Sequence, residues 1–410
     1  MQRSCYHLAG SLLAFCLFSI CLAAQDMAPP IPHKLTIHSN ILNEDRVVWV
    51  RTPHDYEKTK EPFPVLYLVD GPTHINLVGS TMDFLVQGDR MPPLVIVGIA
   101  NTDRTRDLTP THVDQKNPDG SLGAPTSGGG DRFIDFMQNE LMPEIEKRYR
   151  TAPYRIFAGH SLGGLMAIHI LSTRPDLFNA YIAVSPSLQW DDQRPLREAL
   201  DFFAVHRELN KTFFFSLANE GNTPNPMGDA FNQLQKALSK KAPKGLHWDS
   251  ARYPDETHGS TVLRAHYAGL RTIFSDWPMP TDPTNGIPIG GLAGVESHYH
   301  EISQRYGYPV NPPENLLNNL GYQLVATKKY DEAFATFQRN IALYPASANV
   351  YDSLGEGYES AGKFDLAKDQ FQKAIETGAR NSDPNLEIYK EHLQRVTAEI
   401  KSGADKTAPK

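Results

Sequence analysis

Cysteine is nearly missing from this chain of 410 residues. There are three, Cys5, Cys16 and Cys21, and all stand near the N-terminus. Beyond them no disulfide, thiol nucleophile or cysteine-ligated metal is open to the protein. A surplus of positive charge is missing too. Lys and Arg number 40 against 47 Asp and Glu, a formal net charge of −7. That balance argues against nonspecific nucleic-acid binding, which needs a basic face. Charge of either sign is scarce at the start, where Arg3 is the only charged residue before Asp26. Behind Arg3 an apolar run from Leu8 to Ala24 ends in the small pair Ala23 and Ala24. This is the pattern of a signal peptide over residues 1–24, cleaved near Ala23 or Ala24; the run is short for a bilayer span. Ile20 precedes Cys21, where a lipid-attachment signal carries a small residue. The expectation is an exported protein, periplasmic or secreted, without stable membrane insertion once the leader is removed.

What is present is enough chain for two domains. From about Leu35 to Tyr253, β-branched and aromatic runs alternate with helical periodicity. The strand-like runs are Val47–Val50, Val65–Val69, Leu94–Ile99, Tyr154–Ala158, Tyr181–Val184 and Phe213–Leu217. The helical ones are Phe133–Tyr149, Leu162–Thr173, Ala230–Leu238 and Thr261–Phe274. Near-continuous apolar strands between amphipathic helices predict an α/β fold, a mostly parallel sheet covered on both faces. The more polar Lys34–Ser39 and Arg46–Thr52 read as an antiparallel edge. The α/β domain is expected over 25–278. A connector over 279–313 follows, rich in Pro and Gly, with one short helix at about Val295 to Tyr306. Over 314–400 a pattern recurs with period 34: Leu320-Gly321 matches Leu354-Gly355, Ala333 matches Ala367, and Phe337 matches Phe371. This resembles the tetratricopeptide repeat, a helix–turn–helix unit, with Asn385–Ile400 as a cap and 401–410 as a disordered tail. Such repeats either bind a protein partner or only stabilise what they are attached to.

Gly159-His160-Ser161-Leu162-Gly163 is a G-x-S-x-G motif, entered from the strand Tyr154–Ala158 and left by the helix Leu162–Thr173. A sharp strand-to-helix turn strains the serine, and its flanking glycines relieve the clash. Ser161 is therefore the candidate nucleophile. Serine needs a base, and in this fold the order is serine, acid, histidine. His258, in Asp255-Glu256-Thr257-His258-Gly259-Ser260 after the last strand, is the candidate base. His247 lies within that strand, and His160 is expected to point away from the site. The acid should follow the preceding strand, where Glu220 is the first carboxylate; Asp229, Asp255 and Glu256 are its rivals. Of the two oxyanion amides, one should be Leu162. The other should come from Asp70-Gly71-Pro72-Thr73, and since proline has no N–H it must be Gly71 or Thr73.

Together these residues resemble the Putative esterase family, which includes enterobactin and salmochelin esterases, S-formylglutathione hydrolase, feruloyl esterases and mycolyltransferases. The resemblance spans about Leu35 to Trp277. It rests on Leu68-Val69-Asp70-Gly71, on the loop Asn101 to Pro110, on Gly159 to Gly164 and on Ser185-Pro186-Ser187. The chain is most similar to the siderophore-esterase branch, which shares the Arg-rich loop and the exported location; Pro72 is a departure. The loop with Arg104 and Arg106 starts at the carboxyl end of a central strand, where α/β folds bind ligands. An arginine there either grips an anionic or catecholate substrate or forms a structural salt bridge with Asp103 or Asp107. Trp190 either walls the pocket or belongs to the core. The resemblance implies two-step acyl transfer to water through acyl-Ser161, with no metal or organic cofactor and a small ester as substrate. Siderophore trilactones are the first substrate class to consider, and generic carboxylesters or feruloyl esters the second. A reading of another class makes the chain a repeat-mediated binding or assembly protein with a vestigial hydrolase domain; the intact Ser161, His258 and Glu220 argue against it.

Overall fold

The computed structural model describes residues 30–407 apart from 115, 118, 120, 222 and 223. The apolar leader and its cleavage point lie outside the described residues. Eight strands form one sheet: β1 (His33–Ser39), β2 (Glu44–Arg51), β3 (Phe63–Val69), β4 (Val95–Ile99), β5 (Thr151–His160), β6 (Ala180–Val184), β7 (Thr212–Asn219) and β8 (His247–Thr257). Their spatial order is β1-β2-β4-β3-β5-β6-β7-β8. β2 pairs antiparallel with both β1 and β4, and every other neighbouring pair is parallel. The edge read from the polar N-terminal strands is thus antiparallel and the rest of the sheet parallel.

Strands β3, β4 and β6 are buried at every position, as continuous apolar runs are when helices cover both faces. The first unit's helices are α1 (Gly71–Gln87), α2 (Arg104–Leu108), α3 (Gly130–Phe136), α4 (Met142–Arg148), α5 (Leu162–Thr173), α6 (Trp190–Val205), α7 (Pro226–Lys241) and α8 (Val262–Ile273). Alternation along β6 divides the two layers. Tyr181 and Ala183 join the core that includes Leu165 of α5, Leu196 of α6 and Phe231 of α7. Ile182, between them, lies under Gly269 of α8. The single helix read over Phe133–Tyr149 is α3, a π-helical turn over Met137–Leu141, and α4. Pro143 supplies the reason, since it has no amide to donate and its ring crowds the preceding turn. Helix α1 carried no helical reading; its Val78, Gly79, Thr81 and Val86 are poor helix formers, yet Ile75, Val78, Met82 and Leu85 fall on one buried face.

Arg46 of β2 anchors the loop after β4. It is fully buried and bonds Asp107 at 2.6 Å, Glu44 at 2.8 Å and the Ala100 carbonyl at 3.1 Å. Removing one partner from such a buried pair typically costs about 3–5 kcal/mol.

The fold divides into two compact units between Ser275 and Asp276. The second contains α9 (Gly291–Tyr306), α10 (Glu314–Ala326), α11 (Tyr330–Leu343), α12 (Ala348–Ser360), α13 (Phe364–Asn381) and α14 (Leu386–Thr407). The period of 34 has a packing cause. A Cβ on Gly321 would stand 2.4 Å from the Phe337 ring, and one on Gly355 2.5 Å from the Phe371 ring. Each Leu-Gly pair thus opens the space that its phenylalanine fills, and burying such a ring stabilises by about 1.5–3 kcal/mol. Val295 and Tyr299 of α9 share this core, with Met279, Ile287 and Leu292 packed against it. The connector is therefore part of the second unit, and the division falls three residues earlier than the expected 278. Helix α14 continues to Thr407, past the expected end at Ile400. No helix among the described residues is long and apolar enough to cross a membrane.

Candidate active site

The carboxyl ends of the parallel strands carry the residues singled out by sequence. Asp70, Ser161, Ser185, Glu220 and His258 are each the first residue past a strand: β3, β5, β6, β7 and β8 in turn. These five strands are consecutive in the sheet, and open α/β sheets bind ligands along this edge. The first three of these residues are held in the left-handed region, with φ of 57°, 61° and 39°. Each such residue costs on the order of 1–3 kcal/mol and persists only where its surroundings fix it.

At Ser161 those surroundings are backbone bonds. Its amide donates to the Val184 carbonyl (2.9 Å), and its carbonyl accepts from the amides of Ser187 (3.1 Å) and Leu165 (2.9 Å). A Cβ on Gly159 would lie 2.5 Å from the Gly163 carbonyl carbon, so the close fold-back requires glycine there. Helix α5 starts at Leu162. The Leu162 amide therefore has no acceptor within the helix, and the positive end of the helix dipole lies beside Ser161.

Glu220 and His258 leave the sheet together because Asn219 and Thr257 are paired across β7 and β8. Ala218 faces Tyr253, so Pro254, Asp255 and Glu256 bulge out before the register resumes. His258 Nδ1 is 3.0 Å from Glu220 Oε1 and 2.9 Å from Oε2, with the carboxylate side chain 8% exposed and the imidazole 37%. Burial alone would raise the Glu220 carboxyl. Hydrogen bonding, with His258 foremost, and the charge of the His258 imidazole outweigh it and hold the group below its ordinary value. The rivals are engaged elsewhere: Asp255 pairs with Arg264 at 2.6 Å, and Glu256 accepts from Ser260 at 2.6 Å. Asp229 is exposed in the first turn of α7.

His160 does not point away from this group. Its ring lies 4.5 Å from that of His258 and 6.2 Å from that of His74. Burial, reinforced by the charge of His258, pushes its pKa down to about 4, so the ring is neutral at pH 7. Simple strand alternation would turn His160 away from Ser161, but the left-handed turn at Ser161 interrupts the alternation. The turn after β6 brings Ser187 beside the nucleophile. Its hydroxyl is 3.2 Å from Ser161 Oγ.

A cleft of about 620 Å³ opens over Ser161, between Arg104, Val113, Leu162, Ser187 and Trp190. The Trp190 indole N–H donates to Thr111, fixing the ring as one wall. The next three residues, Asp191, Asp192 and Gln193, all have positive φ. A larger, apolar cavity of about 730 Å³ lies between α1 and α8 and contains none of these residues. On the far side of Ser161, the Thr73 amide bonds the Asp70 carbonyl at 3.1 Å. Of the two amides left open by Pro72, Gly71 is thus the one without an acceptor among the described residues. A Cβ on Gly71 would fall 2.3 Å from the Gly98 carbonyl carbon, so α1 seats directly on β4.

Arg104 lines the cleft, but its salt bridge is with Asp70 rather than with Asp103 or Asp107. Nε is 2.7 Å from Asp70 Oδ1, and a terminal nitrogen bonds both Asp70 Oδ2 (3.0 Å) and the His160 carbonyl (3.1 Å). It therefore braces the ends of β3 and β5 against each other. Arg106 pairs with Glu44 (2.6 Å) and Asp107 (2.8 Å), away from the cleft lining, and Asp103 caps α2 by accepting from the Arg106 amide. Among the described residues no cluster of three or more His, Cys, Asp or Glu side chains is placed to hold a metal ion.

Residues 39–241 match the family model described as Putative esterase, and residues 313–377 match the tetratricopeptide repeat. The ferri-bacillibactin esterase BesA of Bacillus subtilis is 33% identical over 221 residues, which is 49% of this chain and 75% of that protein. The chain belongs to the Putative esterase family. A siderophore triacetylfusarinine C esterase of Aspergillus fumigatus is 27% identical over 268 residues, 57% of this esterase and 89% of that protein. Among solved structures, an IroE-like serine hydrolase from Shewanella oneidensis superposes with a TM-score of 0.66 at 31% identity, covering 76% of this esterase and 99% of that chain. The chain is thus an ester hydrolase of the α/β class that carries tetratricopeptide repeats.

Proposed function

We propose that this esterase is an exported serine hydrolase that opens the ester linkages of siderophores. Ser161 Oγ adds to the ester carbonyl while its proton passes to His258; Glu220 holds the imidazole and stabilises the imidazolium. The amides of Leu162 and Gly71 receive the oxyanion. Collapse expels the alcohol, which takes the proton from His258, and leaves acyl-Ser161. Water repeats the sequence and frees the acid. The observation that carries this reading is the common position of Ser161, Glu220 and His258 as first residues past parallel strands, with the imidazole and carboxylate 2.9–3.0 Å apart.

The substrate class draws support from the two relatives above, which are by name esterases of ferri-bacillibactin and triacetylfusarinine C. Export draws support from Arg3 and the apolar run to Ala24, and the repeats offer a surface for a protein partner. The test is to incubate the enzyme with a tricatecholate trilactone and, separately, with simple and feruloyl p-nitrophenyl esters, following products by mass spectrometry. The expected result is ring-opened trimer followed by shorter fragments, absent with Ser161→Ala. Trilactone left intact by enzyme that cleaves the simple esters would overturn the substrate class in favour of a generic carboxylesterase.

A further inference from the structure

The turn Ser185-Pro186-Ser187 has no part in the chemistry just described, although it leaves β6 between the strand ends that carry Ser161 and Glu220. Its two hydroxyls have different surroundings. Ser187, 5% exposed, sets its Oγ 3.2 Å from Ser161 Oγ and lines the cleft. Ser185 is fully buried, and its Oγ accepts the Ala218 N–H at 2.9 Å. The backbone fixes both positions: the Ser185 amide donates to the Ser216 carbonyl (3.0 Å) and the Ser187 amide to the Ser161 carbonyl (3.1 Å). A hydroxyl with only a structural task commonly bonds backbone in its own helix or turn, as Ser172 does with Ile168 and His169.

We propose that Ser187 is a further catalytic residue that donates a hydrogen bond to the Ser161 oxygen. This rests on the reading of Ser161 as nucleophile. With Ser187 donating, the Ser161 proton is free to turn toward His258. In deacylation the bond between the acyl carbon and Ser161 Oγ breaks, the electron pair goes to Oγ, and the proton arrives from His258. The Ser187 hydrogen bond strengthens as charge develops on that oxygen, and Ser187 itself transfers no proton.

The test is the pH profile of kcat/KM on a p-nitrophenyl ester, with folding checked by circular dichroism. Ser187→Ala should lower the plateau by about 10- to 100-fold, the loss of one hydrogen bond to a charged oxygen. KM and the acid limb should stay in place, and Ser187→Thr should recover much of the rate. A Ser187→Ala plateau within about twofold of wild type, or above it, overturns the proposal. A fluorophosphonate that fails to label Ser161 in the wild-type enzyme would instead sink the underlying assignment of the nucleophile.

Discussion

Glu220 and its rivals differ in what already occupies their oxygens. Glu220→Gln leaves a neutral acceptor beside His258 but removes the charge that steadies the imidazolium. The expected result is a fall in kcat of about 10³–10⁴-fold with KM nearly unchanged. Asp255→Asn breaks only a solvent-screened exposed pair with Arg264, and Asp229→Asn touches an exposed side chain; both should turn over like wild type. Either one proving more damaging than Glu220→Gln would mean that the acid is misplaced. Arg104 offers a second contrast. If it braces Asp70 and the His160 carbonyl, Arg104→Ala should lower kcat on a neutral acetyl ester as much as on an anionic one. A loss confined to KM for the anionic ester would mean that it grips substrate instead. At this scale the sequence was readable where a residue's place follows from counting along a strand, as it does for Ser161, Glu220 and His258. It was silent where the partner comes from another strand: the Asp70 bound by Arg104, the Ser187 beside Ser161, and the His258 ring against His160.

Elements were legible in proportion to how far local pattern and tertiary burial agree. The parallel strands are apolar throughout and stood out. Helix α1 did not, because its glycine, valines and threonine favour other conformations and only packing on the sheet makes it helical. The bulge of three residues in β8, opened at Pro254, sets His258 level with Glu220, a register that the sequence pattern does not show. In the second unit, His392 of α14 lies 2.9 Å from Asp352 of α12 and 3.8 Å from Glu356. The hydrogen bond with Asp352, against the opposing effect of burial, raises the His392 pKa above its ordinary value. A histidine raised on folding contributes stability that is complete below its unfolded pKa of about 6.5 and is lost as pH climbs through the folded value. Residues 276–410 should therefore resist urea better at about pH 5.5 than at about pH 8.5, and His392→Gln should shrink that difference. A variant whose pH dependence matches wild type would show that the pair carries no such linkage.

At the scale of the whole molecule, every residue of the proposed relay and cleft precedes Asp276. A chain ending at Ser275 is expected to match the full protein in kcat/KM on a short p-nitrophenyl ester. Ending it at Pro313 instead would strip Val295 and Tyr299 of Leu317, Leu320 and Phe337, leaving an apolar face that invites aggregation. Folded but inactive protein ending at Ser275 would mean that the repeats complete the site. The period of 34 made the repeats readable, whereas the start of the unit that carries them, at Asp276, did not show, because the few apolar residues of the connector are scattered among prolines and glycines. The identity of the nucleophile is tested most directly by reacting the full chain with a fluorophosphonate and mapping the adduct by peptide mass spectrometry. A single stoichiometric adduct on Ser161, lost in Ser161→Ala and accompanied by loss of esterase activity, is the predicted result. An adduct on another serine, or full activity in Ser161→Ala, would contradict it.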